Sequence, residues 1–391
     1  MVTLEQAMAL AEKYPIRPGS VLVPLKEALG RVLGEDIHAD RDNPPFNRST
    51  RDGYACRLED LPGPLTVIES IPAGKNPTRT IGKDQCSQIM TGAMVPEGAN
   101  CVIMQEYVQT GPEDRILCTT TKTDGYIDTQ GQNLKMGDLV LPAGTILAPE
   151  HLGIISSTGK VLVEVTRQLI IGILATGSEL VEPVQTPEGA QIRNSNSQQL
   201  AGQIRRAGHL PKNMGIVEDH AEKIARKIVE SMEQLDLLIL TGGVSVGELD
   251  LVPGTLEELG FHLEFQKVAI QPGKPITFAQ RGGEACIALS GNPVSSFVQF
   301  EVLVRPYLEI CTGAIPINKW IRLELEKGYR RKRTNRLFFL PVCFTENGNC
   351  EPVEYHGSGH LHALAKTIGF AEMPAGQTEL SKGDIVNVRL I

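Results

Sequence analysis

Residues 235–250 read LDLLILTGGVSVGELD, and this stretch decides the fold class of the chain. An aliphatic run leads into two glycines and several small residues, and the start of a helix follows. Similar aliphatic runs lead into glycines at Leu169–Thr176 (LIIGILAT) and at Cys286–Asn292 (CIALSGN). Helical patterns separate or follow these runs: Ser197–Ala207, Ala221–Glu233 and Ser295–Glu309. The alternation predicts a doubly wound α/β domain, in which helices cover both faces of a parallel sheet.

Glycine-rich turns stand at the ends of all three strands. Ligands on such sheets bind beyond the carboxyl ends of the strands, where backbone N–H groups can reach them. The turn after the second strand suits a phosphate or a pterin side chain, and Gly242, Gly243 and Ser245 are its candidate contacts. It matches neither the Walker motif nor the dinucleotide fingerprint. A tight strand-to-helix turn without a ligand is the alternative.

Three carboxylates are predicted at the same rim: Glu179, Asp219 and Asp250. Together they suit a metal and phosphate chemistry, because Mg²⁺ is usually held by one or two carboxylates and by substrate phosphates. Glu179 and Asp250 are the candidate metal ligands. Each acid alone is more typical of a helix cap or a surface position than of a metal ligand.

The flanking regions have a different pattern. Gly, Pro and Thr with short β-like runs fill residues 40–131, and short strands return from 318 to 391, so two β modules are predicted. Within the first module, Asp52 and Thr91 lie in turn-rich loops that suit an anion, with a structural Asp-Gly turn as the alternative for Asp52. Helices are predicted at Thr3–Tyr14 and Pro24–Leu33.

Length and composition exclude several classes of protein. A chain of 391 residues needs more than one hydrophobic core. A net charge of −8 does not predict the basic surface that binds nucleic acid. The sequence has no apolar run long enough to span a membrane and no N-terminal secretory pattern, so a cytoplasmic protein is expected. The eight cysteines form no C-x-x-C pair, and we interpret them as reduced, mostly buried thiols.

Two clusters are interpreted as surface features. The basic segment Tyr329–Arg333 is more typical of a solvated loop than of a ligand site. His356, His360 and His362 do not share one helix face and have no cysteine nearby, so a surface or turn role is favoured over a metal site.

Six ordered motifs make the chain resemble the molybdopterin molybdenumtransferase family, which is similar to the C-terminal domain of gephyrin. They are RSTRDGYA (48–55), IMTGAMVPEGANCVIMQE (89–106), LATGSELVEP (174–183) with QIRNSNSQQL (191–200), LTGGVSVGELD (240–250), IQPGKP (270–275) and LSGNPVSSF (289–297). The resemblance covers essentially the whole chain, to GSGHLHALA (357–365) and KGDIVNVRL (382–390). It implies an enzyme that inserts molybdate into adenylylated molybdopterin and releases AMP to form the molybdenum cofactor.

The same resemblance implies an architecture and partners. The expected parts are an extended dimerisation segment (1–39 with 132–166), a small β domain (40–131), a molybdopterin-binding α/β domain (167–317) and a C-terminal β-barrel (318–391). A homodimer is expected, with the cleft between the α/β domain of one subunit and the β domain of the other. The molybdopterin adenylyltransferase and recipient molybdoenzymes are further possible partners.

The resemblance also assigns residues. Positions similar to the family's functional ones are Asp52, Thr91, Glu179, Asp219, Asp250, Lys267 and Pro293. The expected catalytic residues are Asp52, Glu179, Asp219, Asp250 and Lys267. Mg²⁺ is the expected cofactor. Lys274 and Ser358 are expected ligand contacts.

Four departures from the family pattern leave a second function open. The segment Gly131–Asp138 is shorter than in the family pattern and lacks the acid that usually stands there. Asp138 is the acid that would have to substitute for it. Gln271 stands where a lysine is common, Ser290 replaces a usual proline, and Pro341 occupies a position that is often arginine. The remaining cations available to replace lost contacts are Lys267, Lys274 and Arg336. The alternative function is a non-catalytic paralogue that binds molybdopterin or a partner enzyme as a scaffold.

Overall fold

The computed structural model describes residues 1–244, 251–317 and 319–391. They form two compact units: one contains residues 1–35, 144–148 and 162–391, and the other contains residues 36–143 and 149–161. None of the helices in these ranges combines the length and the apolar character that crossing a bilayer requires. The finer four-part division stays a prediction.

A six-stranded sheet forms the centre of the first unit. In chain order its strands are β1 (Ile170–Thr176), β2 (Leu210–Val217), β3 (Leu237–Thr241), β4 (His262–Lys267), β5 (Pro275–Arg281) and β6 (Glu284–Leu289). They lie in the order β2-β1-β3-β6-β5-β4, and the first four are parallel. β4 and β5 run antiparallel to their neighbours, so the sheet is mixed and not parallel throughout as predicted. The reason is the two-residue connection between β5 and β6, where Gly282 and Gly283 both have positive φ and close a hairpin.

Helices cover both faces of this sheet. In the described ranges the α-helices are α1 (Leu4–Ala11), α2 (Pro149–Ser157), α3 (Asn196–Arg206), α4 (Ala221–Met232), α5 (Leu251–Glu258), α6 (Pro293–Gln299) and α7 (Arg305–Thr312). Adjacent strand residues point to opposite faces: Ile239 joins a core with α3 and α6, whereas Leu240 joins a core with α4 and α5. The predicted doubly wound domain is confirmed.

One of the two N-terminal helices is correct. Thr3 and Gln6 form a reciprocal capping box at the start of α1, with N···O distances of 3.2 and 2.9 Å. The helix predicted at Pro24–Leu33 is wrong. Within that range only Leu25–Glu27 forms a short 3₁₀ turn, and Val32 and Leu33 make isolated antiparallel bridges to Ile146 and Val165. The preceding segment, Ser20–Pro24, is a strand that pairs antiparallel with Leu162–Thr166.

The C-terminal module is a small closed sheet. Its main strands are Trp320–Glu324, Leu337–Phe344, Cys350–Pro352, Gly369–Met373 and Ile385–Leu390. A bridge between Leu325 and Cys350 joins the two ends, in agreement with the predicted barrel. Ile270–Gln271 of the α/β region pairs with Leu337–Phe338, which places the barrel beside the carboxyl edge of the central sheet.

The second unit contains a six-stranded sheet in the region predicted as a small β domain (40–131). Its sheet contains, in spatial order, Cys101–Met104, Gly53–Cys56, Gln85–Ile89, Gly63–Ile71, Arg115–Cys118 and Val108–Thr110. Shorter strand pairs join Ile37–His38 to Leu139–Leu141 and Arg48–Ser49 to Ile127–Asp128. Four thiols lie in its core, and all eight cysteines of the chain are free, seven of them buried, as predicted.

Candidate active site

The carboxyl ends of β1, β3 and β6 open into a cleft of about 1230 Å³ in the first unit. These strands are neighbours in the sheet, so the three glycine-rich turns that follow them meet in one place. The Gln271–Pro275 loop and residues of the C-terminal module form the remaining walls. The turns singled out in the sequence therefore belong to a single cleft.

The residues predicted for the site fall into four groups. Those that line the cleft are Glu179, Asp219, Gly242, Gly243, Lys274, Pro293 and Ser358. Lys267 is not among the lining residues; it ends β4, and its carbonyl oxygen accepts a hydrogen bond of 2.9 Å from the Val2 amide. Asp52 and Thr91 belong to the second unit, whereas Ser245 and Asp250 lie outside the described residues. The role of each residue stays a prediction.

Two glycines let the loops after β1 and β3 touch. Gly242 has φ of +103°, and a β-carbon there would lie 2.2 Å from the Thr176 carbonyl oxygen. Gly243 has φ of +63°, and its β-carbon would lie 2.9 Å from Thr176 Oγ1. A side chain at either position would combine backbone strain with a collision. The cleft therefore has a floor made largely of backbone at this point.

Asn196, at the start of α3, connects the other loops of the floor. Its side-chain Nδ2 donates to Thr241 Oγ1 and to the Gly291 carbonyl oxygen, both at 2.8 Å. The residue is 7% exposed, so these bonds are shielded from water. Asn196 lies in a motif quoted for the resemblance, but its type alone gave no reason to single it out from its polar neighbours.

Two carboxylates form the acidic side of the cleft. Asp219 Oδ2 accepts a 3.0 Å hydrogen bond from the Ser178 amide, and Ser178 Oγ accepts one of 3.1 Å from the Asp219 amide. The Glu179 carboxylate lies against Gly177, where it would be 2.7 Å from an added β-carbon. Carboxylate oxygens are the donors that Mg²⁺ prefers, so the chemistry of this pair fits that ion. Within the described ranges no three acidic, His or Cys side chains converge, so further ligands would have to come from elsewhere.

Three cations stand in the same cleft: Lys274, Arg333 and Arg336. Neither the Lys274 ammonium nor the Arg333 guanidinium donates a hydrogen bond to any residue in the described part of the chain. Arg336 Nη1 donates to the Ile270 carbonyl oxygen at 3.1 Å. Burial, with a smaller contribution from Arg333, lowers the pKa of Arg336, but a guanidinium remains charged at neutral pH. The cleft thus offers positive charge for an anionic ligand.

The basic segment Tyr329–Arg333 is not simply a solvated loop. Arg331 is buried, and its guanidinium donates to the carbonyl oxygens of Gln377, Arg336 and Pro374 at 2.8, 2.9 and 2.6 Å. This structural arginine holds the segment, and Arg333 reaches the cleft. The interpretation as a solvated segment is correct for the exposed Arg330, Lys332 and Arg333 but wrong for the buried Arg331, because buried and exposed arginines look alike in a charge run.

The histidine interpretation is partly correct. His356 and His360 stack with ring centroids 5.0 Å apart, and His356 also approaches the exposed Glu354. Both have the expected surface role. His362 is exposed and, like Ser358, lines the cleft. The sequence around Gly357–Gly359 gave no sign of which histidine would line the cleft.

In the second unit, Asp52 and Thr91 are in direct contact. Asp52 Oδ1 accepts hydrogen bonds from the Thr91 amide (2.7 Å) and from Thr91 Oγ1 (2.8 Å). These two bonds hold the pKa of the Asp52 carboxyl below its ordinary value. Two residues that sequence reasoning selected separately therefore form one exposed polar cluster.

We expect Thr91→Val to raise the pKa of Asp52 part of the way to its ordinary value. The substitution removes the hydroxyl donor and keeps the amide donor, and fewer hydrogen bonds to the charged form raise a carboxyl pKa. A carbon-detected NMR titration of Asp52 measures the change. The Asp42 carboxyl, whose pKa is lowered by the Met136 amide and the Gln130 side chain, serves as the internal control. An unchanged or lower pKa for Asp52 would contradict the assignment.

Family models match nearly the whole chain. The MoeA N-terminal region (domain I and II) matches residues 2–159, the probable molybdopterin binding domain matches 172–310, and the MoeA C-terminal region (domain IV) matches 325–391. The last two matches cover the α/β core and the barrel that together line the cleft.

Individual relatives agree. The molybdopterin molybdenumtransferase of Bacillus subtilis is 33% identical over 94% of this chain and 89% of its own length. The enzyme of the same name from Haemophilus influenzae is 33% identical over 99% of this chain and 98% of its own. A crystal structure of the molybdopterin biosynthesis moeA protein from Pyrococcus horikoshii OT3 superposes with a TM-score of 0.87 at 30% identity, covering 100% of both chains. The chain belongs to the molybdopterin molybdenumtransferase family, a family of transferases.

Proposed function

We propose that this chain inserts molybdate into adenylylated molybdopterin and releases AMP, in the cytoplasm and with Mg²⁺ as cofactor. The observation that carries the proposal is the cleft itself. One of its sides presents Glu179 and Asp219, and others present Lys274, Arg333 and Arg336, around a floor of glycine-rich backbone. This combination suits a substrate that brings both a phosphate chain and an oxyanion.

The chemistry assigned to these groups is electrostatic. Cations stabilise the negative charge that develops when a phosphate link breaks, and they also hold an incoming oxyanion. The two carboxylates, with Asp250 and Asp52 as proposed partners, would hold a divalent cation, and that cation would supply Lewis acidity. Lys267 is proposed to assist from beyond the lining of the cleft. No side chain is assigned as a nucleophile.

The proposal is tested with purified full-length protein, adenylylated molybdopterin, molybdate and Mg²⁺, by following AMP release chromatographically. We expect AMP to appear and to depend on all three small molecules. Tight binding of adenylylated molybdopterin without cleavage would reject the enzyme and favour the scaffold. Direct Mg²⁺ titration by calorimetry, comparing the wild type with Glu179→Gln, gives a readout of the metal site that does not rely on turnover.

One observation supports the alternative function, a non-catalytic scaffold. Gln271 lines the cleft at the position where the resemblance leads us to expect a lysine, and its buried Oε1 has no hydrogen-bond partner among the described residues. Pro341 is buried in the strand Leu337–Phe344 and supplies no charge. Arg333 and Arg336 provide replacement charge, and for this reason we prefer the enzyme.

We further infer that the active form is a homodimer whose sites use Asp52 of one copy and Asp219 of the other, as the resemblance implies. Mixed dimers of Asp52→Ala and Asp219→Ala, purified through two different tags, should then regain about half of the wild-type AMP release, since one of two sites is intact. Each variant alone should be nearly inactive. No recovery in verified mixed dimers would mean that both residues serve one chain.

A further inference from the structure

Gln299, the last residue of α6, binds backbone atoms of two cleft loops at once. Its side chain is fully buried. Oε1 accepts a hydrogen bond of 2.9 Å from the Ser290 amide, in the loop after β6. Nε2 donates to the carbonyl oxygens of Gly273 (2.8 Å), in the loop between β4 and β5, and of Pro275 (2.6 Å), the first residue of β5. One amide group therefore joins two walls of the cleft.

The two carbonyl groups that Gln299 binds stand on either side of Lys274. Gly273 has φ of +98°, and a β-carbon there would lie 2.8 Å from Gln299 Cγ. The loop therefore rests directly on the glutamine side chain, and only glycine permits this approach. The Lys274 carbonyl oxygen is held as well, by a 3.0 Å bond from the Val268 amide. The backbone that carries Lys274 is fixed at three successive residues.

The contact with Ser290 has a separate cause. Ser290 is 5% exposed, and a buried amide needs an acceptor. A proline, which the family pattern leads us to expect at this position, would have no N–H to satisfy. Ser290 therefore creates a requirement that Gln299 meets, and the same glutamine then has its Nε2 free to hold the Lys274 loop.

We propose that Gln299 is a positioning residue that sets the place of Lys274 for an oxyanion ligand. The identity of that ligand as molybdate rests on the proposed function. The glutamine itself is buried beneath the loops and acts through the backbone on either side of the lysine.

The test compares Gln299→Met with Gln203→Met. Methionine keeps the length of the side chain and removes its hydrogen bonds. Gln203 is likewise a buried glutamine, in α3, and its Nε2 donates to the Phe297 carbonyl oxygen and to the Glu301 carboxylate. Removing these hydrogen bonds therefore takes away no contact to the Lys274 loop. We expect Gln299→Met to weaken molybdate binding, measured by calorimetry, and to raise the KM for molybdate, each about tenfold, with kcat changed less. Gln203→Met should stay within about twofold of wild type in both.

Hydrogen exchange gives a readout that needs neither turnover nor ligand. Val268, which donates to Lys274, should exchange about tenfold faster in Gln299→Met and not in Gln203→Met. Wild-type protein that binds molybdate without releasing AMP would reject the proposed function and leave this inference standing. Unchanged Val268 exchange together with molybdate affinity within twofold of wild type would overturn the inference.

Ser290→Pro separates the bond that Gln299 accepts from the Ser290 amide from the bonds that it donates to Gly273 and Pro275. In the Gln299→Met background it removes the amide that lost its acceptor, so the double variant should regain part of the lost thermal stability. It should not regain molybdate affinity, because the carbonyl oxygens of Gly273 and Pro275 still lack their donor. Full recovery of affinity in the double variant would mean that Gln299 acts on the Ser290 loop alone, which contradicts the proposal.

Discussion

Lys274→Met is expected to lower kcat for AMP release by about 100-fold or more, because a charged contact that stabilises a transition state is commonly worth that much. Lys274 lines the main cleft and also a smaller cavity of about 450 Å³, together with Arg333 and Arg336. Methionine preserves much of the side-chain volume and removes the charge. Steady-state AMP release at saturating molybdate measures the effect.

Lys332→Met is the matched control for this prediction. Lys332 carries the same charge in the neighbouring basic segment, but it is exposed and does not line the cleft. Its replacement should leave kcat within about twofold, since exposed charges are well screened. The same assay on Lys267→Met tests the proposal that this lysine shares the electrostatic role. If Lys274→Met kept a third of the wild-type rate, Lys274 would have no place in the transition state.

The part of the site formed by strand ends could be predicted from the sequence. Turns after neighbouring strands must meet at one edge of a sheet, so the aliphatic runs and the glycines that follow them located Glu179, Gly242 and Pro293 together. This inference needs only local patterns and a general rule of topology. It gave the correct lining without any knowledge of loop conformation.

The part supplied by the C-terminal module could not be predicted in the same way. Arg333 and Arg336 reach the cleft because Ile270–Gln271 pairs with Leu337–Phe338, and no local pattern records that pairing. The helix wrongly predicted at Pro24–Leu33 illustrates the same limit, since Val32 and Leu33 instead form bridges with the distant Ile146 and Val165. Distant strand pairing overrides local helix propensity, and a single sequence does not reveal it.

A buried ion cluster in the first unit leads to the second large effect. Glu301 is 1% exposed in the π-helical segment Phe300–Val304 that connects α6 to α7. Its Oε2 accepts a hydrogen bond of 2.8 Å from Arg305 Nε. Its Oε1 accepts bonds of 2.7 Å from Arg206 Nη2 and from Gln203 Nε2. One carboxylate thus connects α3 to the helix pair behind the cleft.

The pKa of Glu301 determines how this cluster depends on pH. Burial by itself would raise that pKa, but hydrogen bonds and charge from Arg305, with help from Gln203 and Arg206, hold it below its ordinary value. A carboxyl whose pKa is lower in the folded state stabilises the fold at pH values above its unfolded pKa, which is about 4.3 for glutamate. This stabilisation is lost as the pH falls from there through the folded pKa.

Glu301→Gln is therefore expected to lower the free energy of unfolding at pH 7 by about 3–5 kcal/mol, because it leaves the buried Arg305 guanidinium without a counter-charge. Urea denaturation followed by the fluorescence of Trp320, the single tryptophan, measures the loss. The ring of Trp320 lies 5.7 Å from the Arg389 guanidinium, which donates to the Glu301 carbonyl group, so the probe reports on this region. The difference between the variant and the wild type should shrink as the pH falls below the unfolded pKa of about 4.3, because the unfolded wild-type chain then takes up a proton before the folded one does.

Two further variants separate charge pairing from packing. Glu309→Gln, in α7, breaks the partly exposed pair with Lys319 (3.6 Å) and should cost less than about 1 kcal/mol. Adding Arg305→Met to Glu301→Gln removes the unpaired buried charge, and since apolar replacements of a buried pair are often neutral, most of the lost stability should return. A double variant no more stable than Glu301→Gln would mean that the loss came from packing around the carboxylate. In that case the charge of Glu301 would have no net part in holding α3 against the helix pair.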